Sequence, residues 1–152
     1  NEKKKKKKTP KVPTYDMKTE MSAKEITDSL LKAMDNDYDF IFLNFANGDM
    51  VGHTGVYDAT IKTVETMDEM IGKIYDKCIE KGYTFMLTAD HGNCECMIDE
   101  AGNMATSHTT NKVPFIVTDK NISVKDVDKL SDIAPFVLKY LNLKVPSEMT
   151  NE

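Results

Sequence analysis

The alternation of apolar and polar residues predicts three helices along the chain. The first covers residues 22–34 and opens with a serine and a glutamate three positions apart, which is a capping-box pattern. The second covers residues 57–81, where apolar side chains recur at helical spacing, and Gly82 is its expected stop. The third begins at Ser131 and runs to Leu141.

Short apolar runs between the helices predict the strands of a sheet. The main strands are expected over residues 39–43, 83–88 and 114–118, with a smaller one over residues 94–98 and a turn at residues 99–102. The resulting order of helices and strands is typical of an α/β domain with a mainly parallel sheet. Because functional loops of such sheets gather at the carboxyl ends of the strands, we expect the chemistry of this chain to lie there.

Charge and composition narrow the class of protein. The 152 residues include 20 lysines and no arginine, and six of the lysines form the run at residues 3–8. The remainder has 14 lysines against 25 acidic residues, a net charge of about −11, which argues against a nucleic-acid-binding surface. No apolar run approaches the roughly 20 residues that cross a bilayer. Three cysteines without an obvious disulfide pair favour a reducing compartment, so we expect a cytoplasmic protein.

The candidate chemistry lies in three loops beside predicted strands. Asp49 and His53 stand four residues apart in a glycine-rich segment, so a single helical turn there would place both on one side. Asp90 and His91 follow the next main strand, and His108 precedes the last one. Carboxylate oxygens and imidazole nitrogens suit Mn²⁺, Zn²⁺ or Fe²⁺, and two such ions about 3.5–4 Å apart serve phosphoryl transfer. Each loop alone is also typical of an ordinary surface turn, but the set predicts a metal centre.

A different ligand set, His91 with Cys94 and Cys96, would make a zinc site. The Cys-x-Cys spacing differs from the usual Cys-x-x-Cys, and no second cysteine pair is present, so this interpretation is less favoured. The chain also contains no Gly-x-Ser-x-Gly elbow, no P-loop and no dinucleotide-binding glycine fingerprint. These exclusions leave a metal centre as the leading hypothesis.

Three segments carry a resemblance to a known family. They are Asn-Phe-Ala-Asn-Gly-Asp-Met-Val-Gly-His-Thr-Gly at residues 44–55, Thr-Ala-Asp-His-Gly-Asn at residues 88–93, and Ser-His-Thr-Thr-Asn at residues 107–111. All three resemble the cofactor-independent (2,3-bisphosphoglycerate-independent) phosphoglycerate mutases of the alkaline phosphatase superfamily. The resemblance implies an alkaline-phosphatase-like three-layer α/β sandwich with a mainly parallel sheet, incomplete here. Residues 14–152 would be the C-terminal portion of the metal-binding phosphatase domain, and residues 1–13 a lysine-rich lead-in that we expect to be flexible.

The resemblance also implies that the ligands are divided between two divalent metal ions, with Mn²⁺ the expected metal. Asp49, His53 and His108 would hold the first ion, and Asp90 and His91 would help to hold the second. The family completes the second site with an aspartate and with the nucleophilic serine, and neither has a counterpart in this sequence. The resemblance therefore places the catalytic nucleophile outside this chain.

The reaction implied for the complete enzyme is the interconversion of 3-phosphoglycerate and 2-phosphoglycerate, a step of glycolysis that passes through a phosphoserine. We expect the complete enzyme to be monomeric and this chain alone to be inactive. Another phosphohydrolase of the same superfamily and a non-catalytic metal-binding remnant stay open as alternatives. Gly48 and Lys112 stand where the family usually has proline, which should loosen the loops without removing a ligand.

Overall fold

The computed structural model describes residues 8–36 and 38–149. In order, its helices and strands are α1 Ala23–Ala33, α2 Asn47–Gly52, α3 Tyr57–Lys81, β1 Met86–Thr88, β2 Phe115–Val117 and α4 Ile133–Tyr140. Short 3-10 turns cover Tyr15–Met17, Leu130–Asp132 and Ser147–Met149. This part of the chain is therefore α/β, as the sequence predicts, and none of its helices is long and apolar enough to cross a bilayer.

The predicted lysine-rich lead-in lies largely outside the described residues. Residues 1–7 fall outside them, and residues 8–13 form neither helix nor strand. The flexibility of residues 1–13 and the division at residue 14 stay predictions. Residues 150–152, at the other end of the predicted phosphatase-type portion, also lie outside the described part.

The longest helix, α3, begins and ends where the sequence pattern predicts. Gly82, directly after it, adopts the left-handed conformation with φ of 73° and ψ of 22°, which costs glycine little. The N–H groups of Gly82 and Tyr83 then donate to the carbonyls of Ile79 and Cys78 at 3.4 and 2.9 Å. These bonds satisfy carbonyls at the end of α3 that have no partner within the helix.

The capping box predicted at the start of α1 is wrong. Ser22 does precede the helix, but its side chain makes no cap hydrogen bond. Its backbone has ψ of 20° instead of the extended conformation that aims a cap oxygen at the helix amides. The Ser22 hydroxyl instead donates to the carbonyl of Lys8 at 3.0 Å and fastens the preceding segment to α1.

Two small clusters of buried apolar side chains form the core of the described residues. One consists of Met34, Ile74 and Cys78, and the other of Met21, Val51 and Ala59. The second cluster joins α2 to the start of α3, with Val51 completely buried. Burial of a valine side chain contributes about 1.5–3 kcal/mol. The short helix α2 is therefore held in place by packing on its neighbours.

The strand predicted at residues 39–43 does not form in the described part of the chain. The segment does show the burial alternation of a strand: Phe40 and Phe42 are 54% and 79% exposed, whereas Ile41 and Leu43 pack on the core. A strand also needs a neighbour that exchanges hydrogen bonds with its N–H and C=O groups, and the one sheet of the described residues pairs only β1 with β2. The periodicity of a strand is therefore present, but the hydrogen-bonded ladder is missing.

The mainly parallel sheet and the three layers of the predicted sandwich are likewise not found in the described residues. Their one sheet has two strands, with β1 antiparallel to β2 and Thr88 opposite Phe115. Parallel neighbours need a crossover connection, usually a helix, and the segment between β1 and β2 contains no helix. The chain doubles back between them, so an antiparallel pair results.

The small strand predicted at residues 94–98 is replaced by turns and single bridges. Ile98 pairs with Met104 in an isolated antiparallel bridge, and Gly102 has a positive φ of 83° in the turn between them. The Asp99 N–H donates to the Asn103 carbonyl at 2.8 Å, so the predicted turn at residues 99–102 is confirmed. A second bridge, between Gly92 and Thr109, ties the loop after β1 to the loop before β2.

Candidate metal centre

Asp49 lies in α2 and His53 directly follows the helix with helical backbone angles, so the two side chains, four residues apart, are neighbours on one side. His53 Nε2 is 3.0 Å from Asp49 Oδ1. The helix is fixed at its start by Asn47, which is only 2% exposed and whose Nδ2 donates to the carbonyls of Thr19 and Glu20 at 3.0 and 2.9 Å. The single turn that the spacing of this pair predicts is confirmed.

His108 reaches the same carboxylate from the loop before β2. Its Nε2 is 2.9 Å from Asp49 Oδ1 and 3.0 Å from His53 Nε2. Three donor atoms from two separate segments therefore form a triangle with edges of 2.9 to 3.0 Å. The structure brings together all three residues that the sequence analysis assigned to a first ion.

His91 joins this cluster and does not form a separate one. Its ring stacks on that of His108, with centroids 3.6 Å apart, and its Nε2 is 3.8 Å from Asp49 Oδ1. Asp49, His91 and His108 each offer a ligand atom, and these atoms all lie within 4.8 Å of one another. This grouping crosses the division into two ions that the resemblance implies.

Asp90 lies at the margin of the cluster. Its Oδ1 is 3.7 Å from His91 Nε2, and its side chain is 81% exposed. The carboxylate is close enough to His91 to share a cation with it, and its other side is open to solvent. Of the five predicted site residues, Asp90 is the one least enclosed by the fold.

A backbone carbonyl fixes the tautomer of His53. His53 Nδ1 lies 2.6 Å from the carbonyl oxygen of Thr106. Because a carbonyl only accepts hydrogen bonds, Nδ1 donates to it, and in the neutral ring Nε2 then keeps a lone pair for a metal ion. Such a contact to the second ring nitrogen is the usual support of a metal-ligating histidine. The sequence contains no pattern that reveals this role of Thr106.

Asp49 is held in the ionised form. Burial of its carboxyl acts to raise the pKa, but a hydrogen bond from His108, the proximity of His53 and a hydrogen bond from Asn93 outweigh it, so the pKa is lowered. Asn93 is 5% exposed, and its Nδ2 lies 3.3 Å from Asp49 Oδ1. Sequence reasoning missed the role of Asn93, because an asparagine after a glycine is typical of any turn.

The donor set fits a divalent cation. Ligand atoms about 3.0 Å apart can all reach one divalent ion, whose bonds to nitrogen and oxygen are about 2.0–2.2 Å long. The triangle of Asp49, His53 and His108 therefore suits a single divalent ion and leaves further coordination positions open.

The thiols of the alternative zinc site are engaged elsewhere. Cys94 Sγ lies 3.1 Å from the carbonyl oxygen of Gly48, and Cys96 Sγ lies 3.6 Å from that of Ile98. Burial, reinforced by the nearby carboxylates of Glu95 and Asp49, raises the pKa of Cys94 and keeps it a neutral thiol. Thiolate is the form that binds zinc, so this arrangement does not favour a cysteine site.

Comparison with known proteins agrees with the geometry. Residues 1–145 match the family model described as the metalloenzyme superfamily. The chain belongs to the metalloenzyme superfamily. The resemblance seen in the sequence motifs is also confirmed. The chain is 54% identical over 149 residues to a protein of Clostridium novyi named 2,3-bisphosphoglycerate-independent phosphoglycerate mutase. It is equally 54% identical over 140 residues to the protein of that name from Mycoplasma genitalium.

A solved structure gives the same result at the level of the fold. The chain superimposes with a TM-score of 0.80 and 29% identity on a crystal structure of Leishmania mexicana phosphoglycerate mutase at low cobalt concentration. The match covers 95% of this chain and 30% of the Leishmania chain. For the clostridial relative the corresponding shares are 95% and 29%. The chain therefore spans less than a third of the length of the relatives that it matches.

Proposed function

We propose that this chain is the C-terminal, metal-binding part of a cofactor-independent phosphoglycerate mutase. The complete enzyme interconverts 3-phosphoglycerate and 2-phosphoglycerate in glycolysis. One observation carries the proposal: Asp49, His53 and His108 meet with donor atoms 2.9 to 3.0 Å apart. They do so in a chain 54–55% identical to proteins that bear that name.

The residues of this chain have distinct roles in the proposal. Asp49, His53 and His108 hold the first ion, and Asp90 and His91 contribute to the second. His53 acts through Nε2, because its Nδ1–H is committed to the Thr106 carbonyl at 2.6 Å. When bound, divalent ions polarise phosphoryl oxygens and stabilise the charge that develops during transfer. The stacked His91 keeps the second pair of ligands next to the first.

The transfer itself uses a serine that we place outside this chain. In the first step the serine oxygen forms a bond to phosphorus as the bond from phosphorus to one glycerate oxygen breaks. In the second step the other hydroxyl of the glycerate takes the phosphoryl group back, and the serine is released. The composition favours an accessory role for this chain in that reaction, since it has metal ligands and lysines but no arginine to grip a phosphate by two hydrogen bonds.

We propose Mn²⁺ as the ion, in a cytoplasmic enzyme that is monomeric when complete. Two imidazole nitrogens and one carboxylate oxygen can bind Mn²⁺, Zn²⁺ or Fe²⁺, and the resemblance to the mutase family favours Mn²⁺ among them. The spacing of about 3.0 Å between the ligand atoms lets all three reach one ion. The related Leishmania mutase was crystallised at low cobalt concentration, and cobalt is another divalent ion that accepts nitrogen and oxygen ligands.

A chimeric enzyme tests the function. The 149-residue region of the Clostridium novyi mutase that matches this chain is replaced by this chain, and the conversion of 3-phosphoglycerate is followed with Mn²⁺ present. We expect activity from the chimera and its loss in the same chimera with His53→Ala. Lys73→Gln, which changes only an exposed pair with Glu69 on α3, serves as the matched control and should keep the activity. A folded, Mn²⁺-loaded chimera that turns over no phosphoglycerate would disprove the assignment.

A further inference from the structure

Glu95 is an acidic residue that the proposed metal site does not use, and its carboxylate joins two loops. Glu95 Oε2 accepts a hydrogen bond from the backbone N–H of Asn93 at 2.6 Å. Its Oε1 accepts one from Asn111 Nδ2 at 3.0 Å and a short one from the hydroxyl of Thr109. A carboxylate only accepts hydrogen bonds, so it can hold several donors from different segments at once.

The two loops that Glu95 joins are those that carry His91 and His108. Thr109 directly follows His108, and its N–H also donates to the Gly92 carbonyl at 3.0 Å. A Cβ atom at Gly92 would collide with Thr109 Oγ1 and with Glu95 Oε1, so the backbone passes close to both. These contacts between the loops hold the two imidazole rings in their stacked arrangement, with centroids 3.6 Å apart.

Glu95 is also connected to the carboxylate at the centre of the cluster. The backbone N–H of Asn93 binds Glu95, while its side-chain Nδ2 lies 3.3 Å from Asp49 Oδ1. Asn93 is buried, and a Cβ at Gly52 would collide with its Oδ1, so α2 leaves its side chain little freedom. Two hydrogen bonds in series therefore link Glu95 to Asp49.

We propose that Glu95 is a positioning residue of the metal centre, which sets the distance between the His91 loop, the His108 loop and Asp49 without touching the ion. The proposal rests on the proposed function, because it concerns how that same centre keeps its shape. The pKa of Glu95 is lowered, chiefly by the hydrogen bond from Thr109, so the acceptor form is present at neutral pH. Loss of such supporting contacts typically weakens metal affinity about 10–100-fold.

The first test compares Glu95→Gln with Glu100→Gln in the full 152-residue chain. Glutamine has the same shape but turns one acceptor into a donor, which then faces the Asn93 N–H or the Thr109 hydroxyl. We expect Mn²⁺ to bind Glu95→Gln about 10–100-fold more weakly than the wild type, as measured by electron paramagnetic resonance of free Mn²⁺. Glu100 is an exposed acid of the adjacent turn, so Glu100→Gln should bind like the wild type.

A purely structural role would lower the stability of the metal-free chain as well. Glu95 is exposed, so we expect the metal-free Tm of Glu95→Gln to stay within a few degrees of the wild type while affinity falls. The visible absorption of bound Co²⁺ adds a spectroscopic signature. Its band intensity should change in Glu95→Gln, because displaced loops alter the coordination of the ion.

Two substitutions of Thr109 test the same hydrogen bond without any change at Glu95, and one of them keeps the hydroxyl. Thr109→Ser keeps the hydroxyl that donates to Glu95, whereas Thr109→Val keeps the shape and removes it. We expect the serine variant to bind Mn²⁺ like the wild type and the valine variant to bind it at least about tenfold more weakly. If Glu95→Gln does not fold, the comparison of Thr109→Ser with Thr109→Val decides whether Glu95 positions the site.

The outcomes separate the two proposals. Equal Mn²⁺ affinity in Glu95→Gln and wild type, or equal affinity in the two Thr109 variants, overturns the positioning role and leaves the proposed function intact. A folded wild-type chain that binds no Mn²⁺ contradicts the metal centre itself, and the positioning role with it. Loss of affinity in Glu95→Gln and Thr109→Val, with Thr109→Ser unchanged, supports both.

Discussion

At the scale of single residues, the site is one carboxylate oxygen approached by three imidazoles. Asp49 Oδ1 lies 3.0 Å from His53 Nε2 and 2.9 Å from His108 Nε2, with His91 Nε2 at 3.8 Å. In neutral His53, Nδ1 donates to the Thr106 carbonyl and Nε2 keeps its lone pair. Two ring nitrogens 3.0 Å apart then need either a proton or a cation between them. A divalent ion satisfies all of these lone pairs together.

Replacement of Asp49 tests this arrangement most directly. We expect Asp49→Asn to weaken Mn²⁺ binding by more than about 100-fold, because it removes the one negative charge that all three imidazoles share. Isothermal titration calorimetry measures the change. Asp58→Asn, at an exposed acid in the first turn of α3, is the matched control and should bind as the wild type does. Equal affinities of the two variants would show that Asp49 is not a ligand.

Metal affinity should decrease at low pH because the histidine ligands become protonated. The pKa of Asp49 is lowered, so its carboxylate stays ionised as the pH falls through the range where imidazoles titrate. A histidine ligand must be neutral, so protons compete with the ion for its ring nitrogen. With His53 and His108 as ligands, the apparent affinity for Mn²⁺ should decrease in acid and approach a slope of about 100-fold per pH unit, because two protons compete with the ion. Mn²⁺ titrations at several pH values measure this slope, and a constant affinity down to about pH 5 would exclude histidine ligation.

The sequence predicts the proposed ligands better than it predicts the residues that contact them. Asp49 and His53 can be recognised because their spacing matches a helical turn, and the convergence of His91 and His108 on the pair is expected from their loops. Asn93, Thr106 and Glu95 act through a backbone group or through another side chain. Such contacts depend on where the loops meet in space, and no spacing in the chain records them.

At the scale of elements, the helix α2 positions Asp49 and His53 in the site. A helix of six residues is unstable by itself, because nucleation costs more than so few hydrogen bonds return. It exists here because Asn47 is tied to two carbonyls and Val51 is completely buried. The orientation of Asp49 and His53 therefore depends on Asn47 and Val51, which are not themselves proposed to bind the ion.

Removal of the Asn47 side chain should affect stability and metal binding together. Asn47→Ala removes two hydrogen bonds from a buried side chain to the carbonyls of Thr19 and Glu20, each of which contributes about 0.5–1.5 kcal/mol. Mn²⁺ affinity should fall as well, since α2 loses its anchor. Chemical denaturation measures the first effect and metal titration the second. In the control variant Asn121→Ala, at an exposed position, we expect a change within about 0.5 kcal/mol. Stability unchanged in Asn47→Ala would contradict the anchoring role.

The elements also show why the prediction of a parallel sheet, which the described residues do not contain, still led to residues that lie close together. The parallel sheet predicted from the order of elements would bring together loops at the carboxyl ends of strands. In the observed antiparallel pair, the end of β1 lies beside the start of β2, with Thr88 opposite Phe115. His91 follows the one and His108 precedes the other, so they meet at the same edge. Strand direction depends on pairing partners, which local periodicity does not specify.

At the scale of the whole chain, the balance of charge agrees with the proposed metal centre. The chain carries a net charge of −5, and phosphoglycerate is also an anion. No arginine is available as a bidentate clamp, and the six lysines at residues 3–8 account for much of the positive charge. In the proposed function, a divalent ion held by Asp49, His53 and His108 supplies concentrated positive charge in this acidic part of the enzyme.

The chain by itself should bind one Mn²⁺ tightly and show no mutase activity. All three donors of the first site lie within it at 2.9 to 3.0 Å, whereas the second site has only His91, stacked on His108, and the largely exposed Asp90. A second ion close to the first would also be repelled by it unless further carboxylates neutralised both. Titration followed by electron paramagnetic resonance should therefore show one tight site for each chain. Two equal tight sites would mean that Asp90 and His91 suffice for the second ion. Turnover of 3-phosphoglycerate by the purified chain, retained after gel filtration, would mean that the nucleophile lies within these 152 residues.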